Sequence, residues 1–172
     1  QRDTTPMMDD APLAYPMQLG SGTWDPSIGV TCLGQTDKLS WGSQSKYKFR
    51  LGENSENYTL GNRFDFVSWG AVKVSDQVSF STSVSYFNTQ EIEGVDADLN
   101  PMMMPLFNTM NSGRSQLDLG LGSNFSITQG SLKNLRFSAE VKIPVYQKVN
   151  GTQMKNNLAA TFGIQYAIGH KH

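Results

Sequence analysis

The sequence has little of most things that catalysis or a disulfide framework would need. It holds one cysteine, Cys32, and two histidines, His170 and His172, both at the extreme C-terminal end. A lone thiol makes no internal disulfide. With no histidine inside the fold, a Ser-His or Cys-His device has no base. No phosphate-binding glycine loop, zinc pattern or dinucleotide fingerprint occurs either. Long hydrophobic runs are also missing: no stretch approaches the roughly 18–20 apolar residues of a membrane-spanning helix. Charge is sparse at 17%, net −1, with no basic block, which argues against a nucleic-acid partner. No signal peptide opens the chain, since Gln1-Arg2-Asp3-Thr4 is polar; the expectation is a mature chain or a fragment. The reading is therefore not an enzyme, with no cofactor and no metal.

What the 172 residues do contain is alternation. A strand with one apolar face repeats every second residue, and the pattern recurs with almost no helical period between. Leu39, Trp41, Tyr47, Phe49 and Leu51 share one parity of 38–52, against Lys46, Lys48 and Arg50 on the other. Leu117, Leu119, Leu121, Phe125 and Ile127 alternate with Gln116, Asp118, Gly120 and Asn124. Leu135, Phe137, Ala139, Val141, Ile143 and Val145 alternate with Arg136, Ser138, Glu140, Lys142, Pro144 and Tyr146. Leu158, Ala160, Phe162, Ile164, Tyr166 and Ile168 form the last series. Weaker series run through 25–35, 63–75 and 78–88; in 63–75 Trp69 falls on the wrong parity. That predicts seven strands, most of them about 10–14 residues long. Globular strands average about five or six, whereas membrane strands need roughly 9–11.

Mean hydropathy of −0.40 is no obstacle, because a membrane strand is apolar only at alternate positions. Connections at 35–38, 75–77 and 128–134 are short; those at 52–58, 89–113 and 147–156 are long and polar. Short turns on one side and long loops on the other form the outer-membrane pattern. The predicted fold is thus all-β, an antiparallel transmembrane β-barrel segment of about seven strands. Residues 1–24 are expected in an outer loop, residues 25–168 in strands and 169–172 in a C-terminal tail on the periplasmic side. Seven is odd, and single-chain bacterial barrels usually have even counts. The expected partners are outer-membrane lipid and missing N-terminal strands or partner chains.

Several segments carry a family likeness. Tyr15-Pro-Met-Gln-Leu-Gly-Ser-Gly-Thr-Trp-Asp25, Cys32-Leu-Gly-Gln35, Trp41-Gly-Ser-Gln44, Arg50-Leu-Gly-Glu-Asn54, Tyr58-Thr-Leu-Gly-Asn-Arg63, Asp96-Ala-Asp-Leu-Asn-Pro-Met102, Leu117-Asp-Leu-Gly-Leu-Gly122 and Pro144-Val-Tyr-Gln147 follow one another in order. Together they resemble the C-terminal half of a family of bacterial outer-membrane transporter proteins grouped with the meta-pathway phenol-degradation porins. The resemblance implies a Gram-negative outer-membrane location and a β-barrel channel, with a further stretch of barrel N-terminal to this sequence. Related chains tend to end on an aromatic residue after the last strand. Gly169-His-Lys-His172 departs from that.

The polar parity supplies the candidate lumen residues: Lys46, Lys48, Arg50, Arg63, Asp65, Lys73, Arg114, Asp118, Arg136, Glu140 and Lys142. They either tune which solutes pass or fill a narrow interior with paired charges. The basic excess of Lys46–Arg50 favours anions. Met102, Met103, Met104 and Phe107 in the longest loop are candidates for a constriction or a loop contact. Thioether clusters also suit Cu(I), and Asp96, Asp98 and Asn100 alternate as in a calcium loop without its Gly and distal Glu. Trp24, Trp41, Tyr47, Phe49, Tyr86, Phe125 and Tyr166 fit interfacial girdles. The expected function is a channel for small hydrophobic or anionic solutes. A scaffolding barrel segment and a soluble all-β ligand-binding protein are the alternatives.

Overall fold

The computed structural model describes residues 12–130 and 132–167. Ile168, Met7, Met8 and the terminal histidines lie outside that range. The alternating segments form strands β1 (Ser27–Gln35), β2 (Leu39–Lys48), β4 (Arg63–Lys73), β5 (Val78–Thr89), β7 (Arg114–Ser126), β8 (Leu135–Val149) and β9 (Ala159–Tyr166). These make one seven-stranded sheet in the order β1-β2-β4-β5-β7-β8-β9, each neighbour antiparallel. The fold is all-β and the sheet is open, with β1 and β9 at its edges. β3 (Tyr58–Thr59) and β6 (Glu93–Gly94) pair separately inside the long loops.

Three local departures from strict alternation have physical causes. Trp69 lies on the concave face because it faces Gly42, its registered partner on β2. A Cβ at Gly42 would come within 2.8 Å of the indole, so only glycine leaves room for the ring. β8 carries a bulge between the Leu117–Tyr146 and Asp118–Pro144 pairs. Proline lacks the N–H of a central ladder and is tolerated at a bulge. The extra residue, Val145, flips the parity above it. Tyr146 therefore pairs with Leu117 on the apolar face, not on the polar side as the alternation predicts, and Gln147 faces Gln116. Finally, β2 ends at Lys48 and not at Gly52, because the Arg50 N–H turns to Asn62 Oδ1 at 2.7 Å.

Among the described residues, hydrophobic side chains are not gathered beneath the sheet. Among the described residues, the buried hydrophobic ones are Ala14, Tyr15, Tyr58 and Leu99, and all lie at the long-loop end. Tyr15, Tyr58 and Leu99 come from three separate loops and form one cluster, with Leu60, Ile92 and Phe107 packed around it. The Tyr15 and Tyr58 rings meet edge to face at 4.9 Å. Gly94 sits opposite Tyr58 at φ 83°, where a Cβ would strike the Asn57 carbonyl. The Asp96 N–H donates to the Tyr15 hydroxyl at 3.0 Å.

Burial pushes the Tyr15 hydroxyl above its ordinary pKa, with a smaller upward push from Asp96 and Tyr58 and an opposing backbone hydrogen bond at Asp96. A folded-state pKa raised in this way means the folded loops prefer the neutral phenol. That contribution is present below pH ~10 and is lost as pH climbs through the folded value. Protease cleavage in the long loops should therefore rise above pH ~10. Tyr15→Phe should remove that alkaline step while keeping the ring packed.

Candidate functional site

Cross-strand register sorts the sheet into two faces. On the convex face the middle row is Cys32, Ser43, Ser68, Val84, Leu119 and Ile143. Toward the long loops lie Tyr47, Phe64, Phe66, Tyr86 and Tyr146; toward the short turns lie Trp41, Phe80, Phe125, Phe137, Phe162 and Tyr166. Many of the apolar residues between and within these two aromatic bands are exposed, Leu121 to 71%, Ile164 to 74% and Phe162 to 82%, while Tyr47, Phe64, Phe66 and Tyr86 are half-buried. From Tyr86 to Val78 the chain travels about 27 Å at the usual strand rise, or about 20 Å after a barrel tilt.

The concave face carries the polar parity and bounds a cavity of about 1040 Å³. Ser79, Ser81 and Ser83 of β5 line it with Asn124, Arg136, Ser138, Glu140, Lys142 and Lys73. Ser83 donates to Glu140 Oε1 at 2.8 Å, and Lys142 Nζ stands 3.6 Å from Glu140 Oε2. Gly120 of β7 has no room for a Cβ between Ser83 and Glu140, so the glycine lets that cross-strand pair form. Trp69, Val67 and Ala71 add an apolar ledge to the same wall. At the short-turn rim, the exposed Asp76 carboxyl is held below its ordinary range, first by the hydrogen bond from Lys73 and then by that residue's charge.

Toward the long loops the wall becomes more charged. The row Lys46, Asp65, Phe87, Gln116 and Gln147 lies beneath the row Lys48, Arg63, Thr89, Arg114 and Val149. Arg63 grips Asp65 through Nε and Nη2 at 2.7–3.0 Å. The Phe87 ring carries Arg63 Cζ at 4.8 Å and Arg114 Cζ at 5.5 Å. Arg114 Nη2 donates to Gln116, which donates to Asp118, both at 2.7 Å.

Of the residues singled out in the sequence, Lys46, Lys48, Arg63, Asp65, Asp118, Arg136, Glu140 and Lys142 share this face by register. Arg50 lies just past β2, paired with Asp25. Met102, Met103 and Met104 do not line the cavity; Met102 is 91% exposed. Phe107 packs on the loop cluster instead. Asp96 and Asn100 of the same loop serve its backbone: Asp96 Oδ1 accepts from the Asp98 N–H and Asn100 Oδ1 from the Met102 N–H. Among the described residues, no group of three or more His, Cys, Asp or Glu side chains is placed to hold a metal. What alternation does not reveal is the partnering of Phe87 with two arginines and of Trp69 with Gly42, since both depend on register.

Comparison with known protein families, curated proteins and solved structures finds no match. The functional reading rests on the chain's own geometry.

Proposed function

We propose that this chain is part of an outer-membrane β-barrel that lines a water-filled channel for small solutes, and that it performs no catalysis. The observation that carries the reading is the inversion of the usual sheet. Many apolar side chains stand exposed on the convex face, the charges line the concave one, and among the described residues no hydrophobic core lies between. A water-soluble lipocalin or sandwich buries its apolar parity. Lipid covers such a convex face, and the two aromatic bands fit its two interfaces. The long loops then face outward and the short turns face the periplasm, in keeping with the resemblance to outer-membrane transporters.

The two edges need partners, because unpaired strand edges are not tolerated in hydrocarbon. In an antiparallel sheet of seven strands, β1 and β9 run in the same direction. Antiparallel closure therefore takes an odd number of further strands; a second copy supplies seven, but it would pair antiparallel only if inverted, with its long loops on the opposite side of the membrane. Further strands of the same barrel, or of a partner chain, are the occupants we infer.

The test is conductance. The purified protein, added to a planar lipid bilayer, should give discrete current steps. Stable insertion without current would favour a scaffolding role over a channel.

A further inference from the structure

At the long-loop end of the concave face, Lys48 stands directly opposite Arg63, and Thr89 alone separates Arg63 from Arg114. Ser27 and Val149 complete the row, so it contains three cations and no carboxylate. Like charges directly opposite one another destabilise a sheet. One row below, the opposed residues are Lys46 and Asp65, which are complementary. Among the described residues, like charges stand directly opposite one another only in the row nearest the loops.

The hydrogen bonds leave donors free. Asp65 occupies Nε and Nη2 of Arg63, which leaves Nη1 without a partner among the described residues. Among the described residues, Arg114 hydrogen-bonds only the neutral Gln116, and its buried Nε has no partner there. Lys48 makes no ion pair among those residues. Phe87 lies between the arginines and holds both guanidinium groups against its ring. Above the row, Arg50 is paired with Asp25, and burial and then the charge of Arg63 push its guanidinium below its ordinary pKa.

We infer that Lys48, Arg63 and Arg114 form a binding site for a small oxyanion, a carboxylate or a phosphate, at the loop-side mouth of the concave face. Such an anion takes charge-assisted hydrogen bonds from the Lys48 ammonium, the free Arg63 Nη1 and the Arg114 guanidinium. It also relieves the repulsion across the Lys48–Arg63 pair. The inference deepens the channel reading, on which it rests for access from water, and makes this mouth the step that favours anions.

Inorganic phosphate is the probe. It is titrated calorimetrically, at low ionic strength, into the full chain in detergent, with acetate in a second arm. Phosphate should bind, and the Lys48→Gln/Arg114→Gln double variant should bind about tenfold or more weakly, the scale of losing a charge-assisted bond. Lys148→Gln removes a cation at the same height on the opposite face and should bind as the parent does. Acetate binding identifies carboxylate as a ligand class; phosphate binding alone restricts the site to phosphate. Far-UV circular dichroism checks that the double variant keeps its strands. No phosphate binding by the parent, or equal binding by a folded double variant, overturns the site. Absence of bilayer current with phosphate binding intact would instead defeat the channel reading and leave the site standing.

Discussion

Leu119→Arg is expected, on the proposed membrane reading, to destabilise the inserted protein by about 2–4 kcal/mol, the scale for a cation on the lipid face of a barrel at the bilayer midplane. Leu119 belongs to the convex row that contains no aromatic residue and lies between the two aromatic bands. Its side chain is 47% exposed. On a water-facing surface, replacing such a residue would change stability by no more than about 0.5 kcal/mol. The two environments therefore give different answers for one substitution. Ser81→Arg on the concave face adjoins the cavity and should be tolerated in the same assay. Denaturant unfolding from phospholipid vesicles reads both, and equal small effects would count against lipid contact.

The second large effect belongs to the loops. Leu99 is 1% exposed and packs with Tyr15 and Tyr58. Leu99→Ala removes a fully buried side chain at a typical loss of about 2–5 kcal/mol. That loss falls on the loop cluster, which has its own small core, so the opening should be local. Hydrogen exchange should quicken in residues 92–107 and around Tyr58, while protection in β4, β5, β7 and β8 stays near that of the parent. A uniform loss of protection across the sheet would mean that loops and strands unfold together.

These features were unequally legible in the sequence. The seven strands were readable because alternation has a period of two and each apolar parity is long. Leu117, Leu119 and Leu121 announce both the strand and its face. Register was not readable, and it decides the candidate site. Lys48 and Arg63 are both on the polar parity, yet their direct opposition appears only once β2 and β4 are aligned. The bulge shows the same limit. Pro144 within a central strand is a signal that the ladder must break there, but alternation carried straight through it placed Tyr146 on the wrong face. Trp69 breaks the pattern until Gly42 is set opposite it. The loop cluster left no periodic trace at all, since Tyr15, Tyr58 and Leu99 meet only through tertiary packing.

The proposed division of the sheet into a lipid face and a water face can be measured residue by residue along β7. Cysteines placed singly at positions 117 to 122, in a Cys32→Ala background, carry spin labels in the reconstituted protein. Labels at 117, 119 and 121 should collide with dissolved oxygen, and labels at 118, 120 and 122 with a water-soluble nickel chelate, alternating at every step. If the labels at 117, 119 and 121 are shielded from both agents, those leucines sit in a protein interior and the membrane reading is wrong.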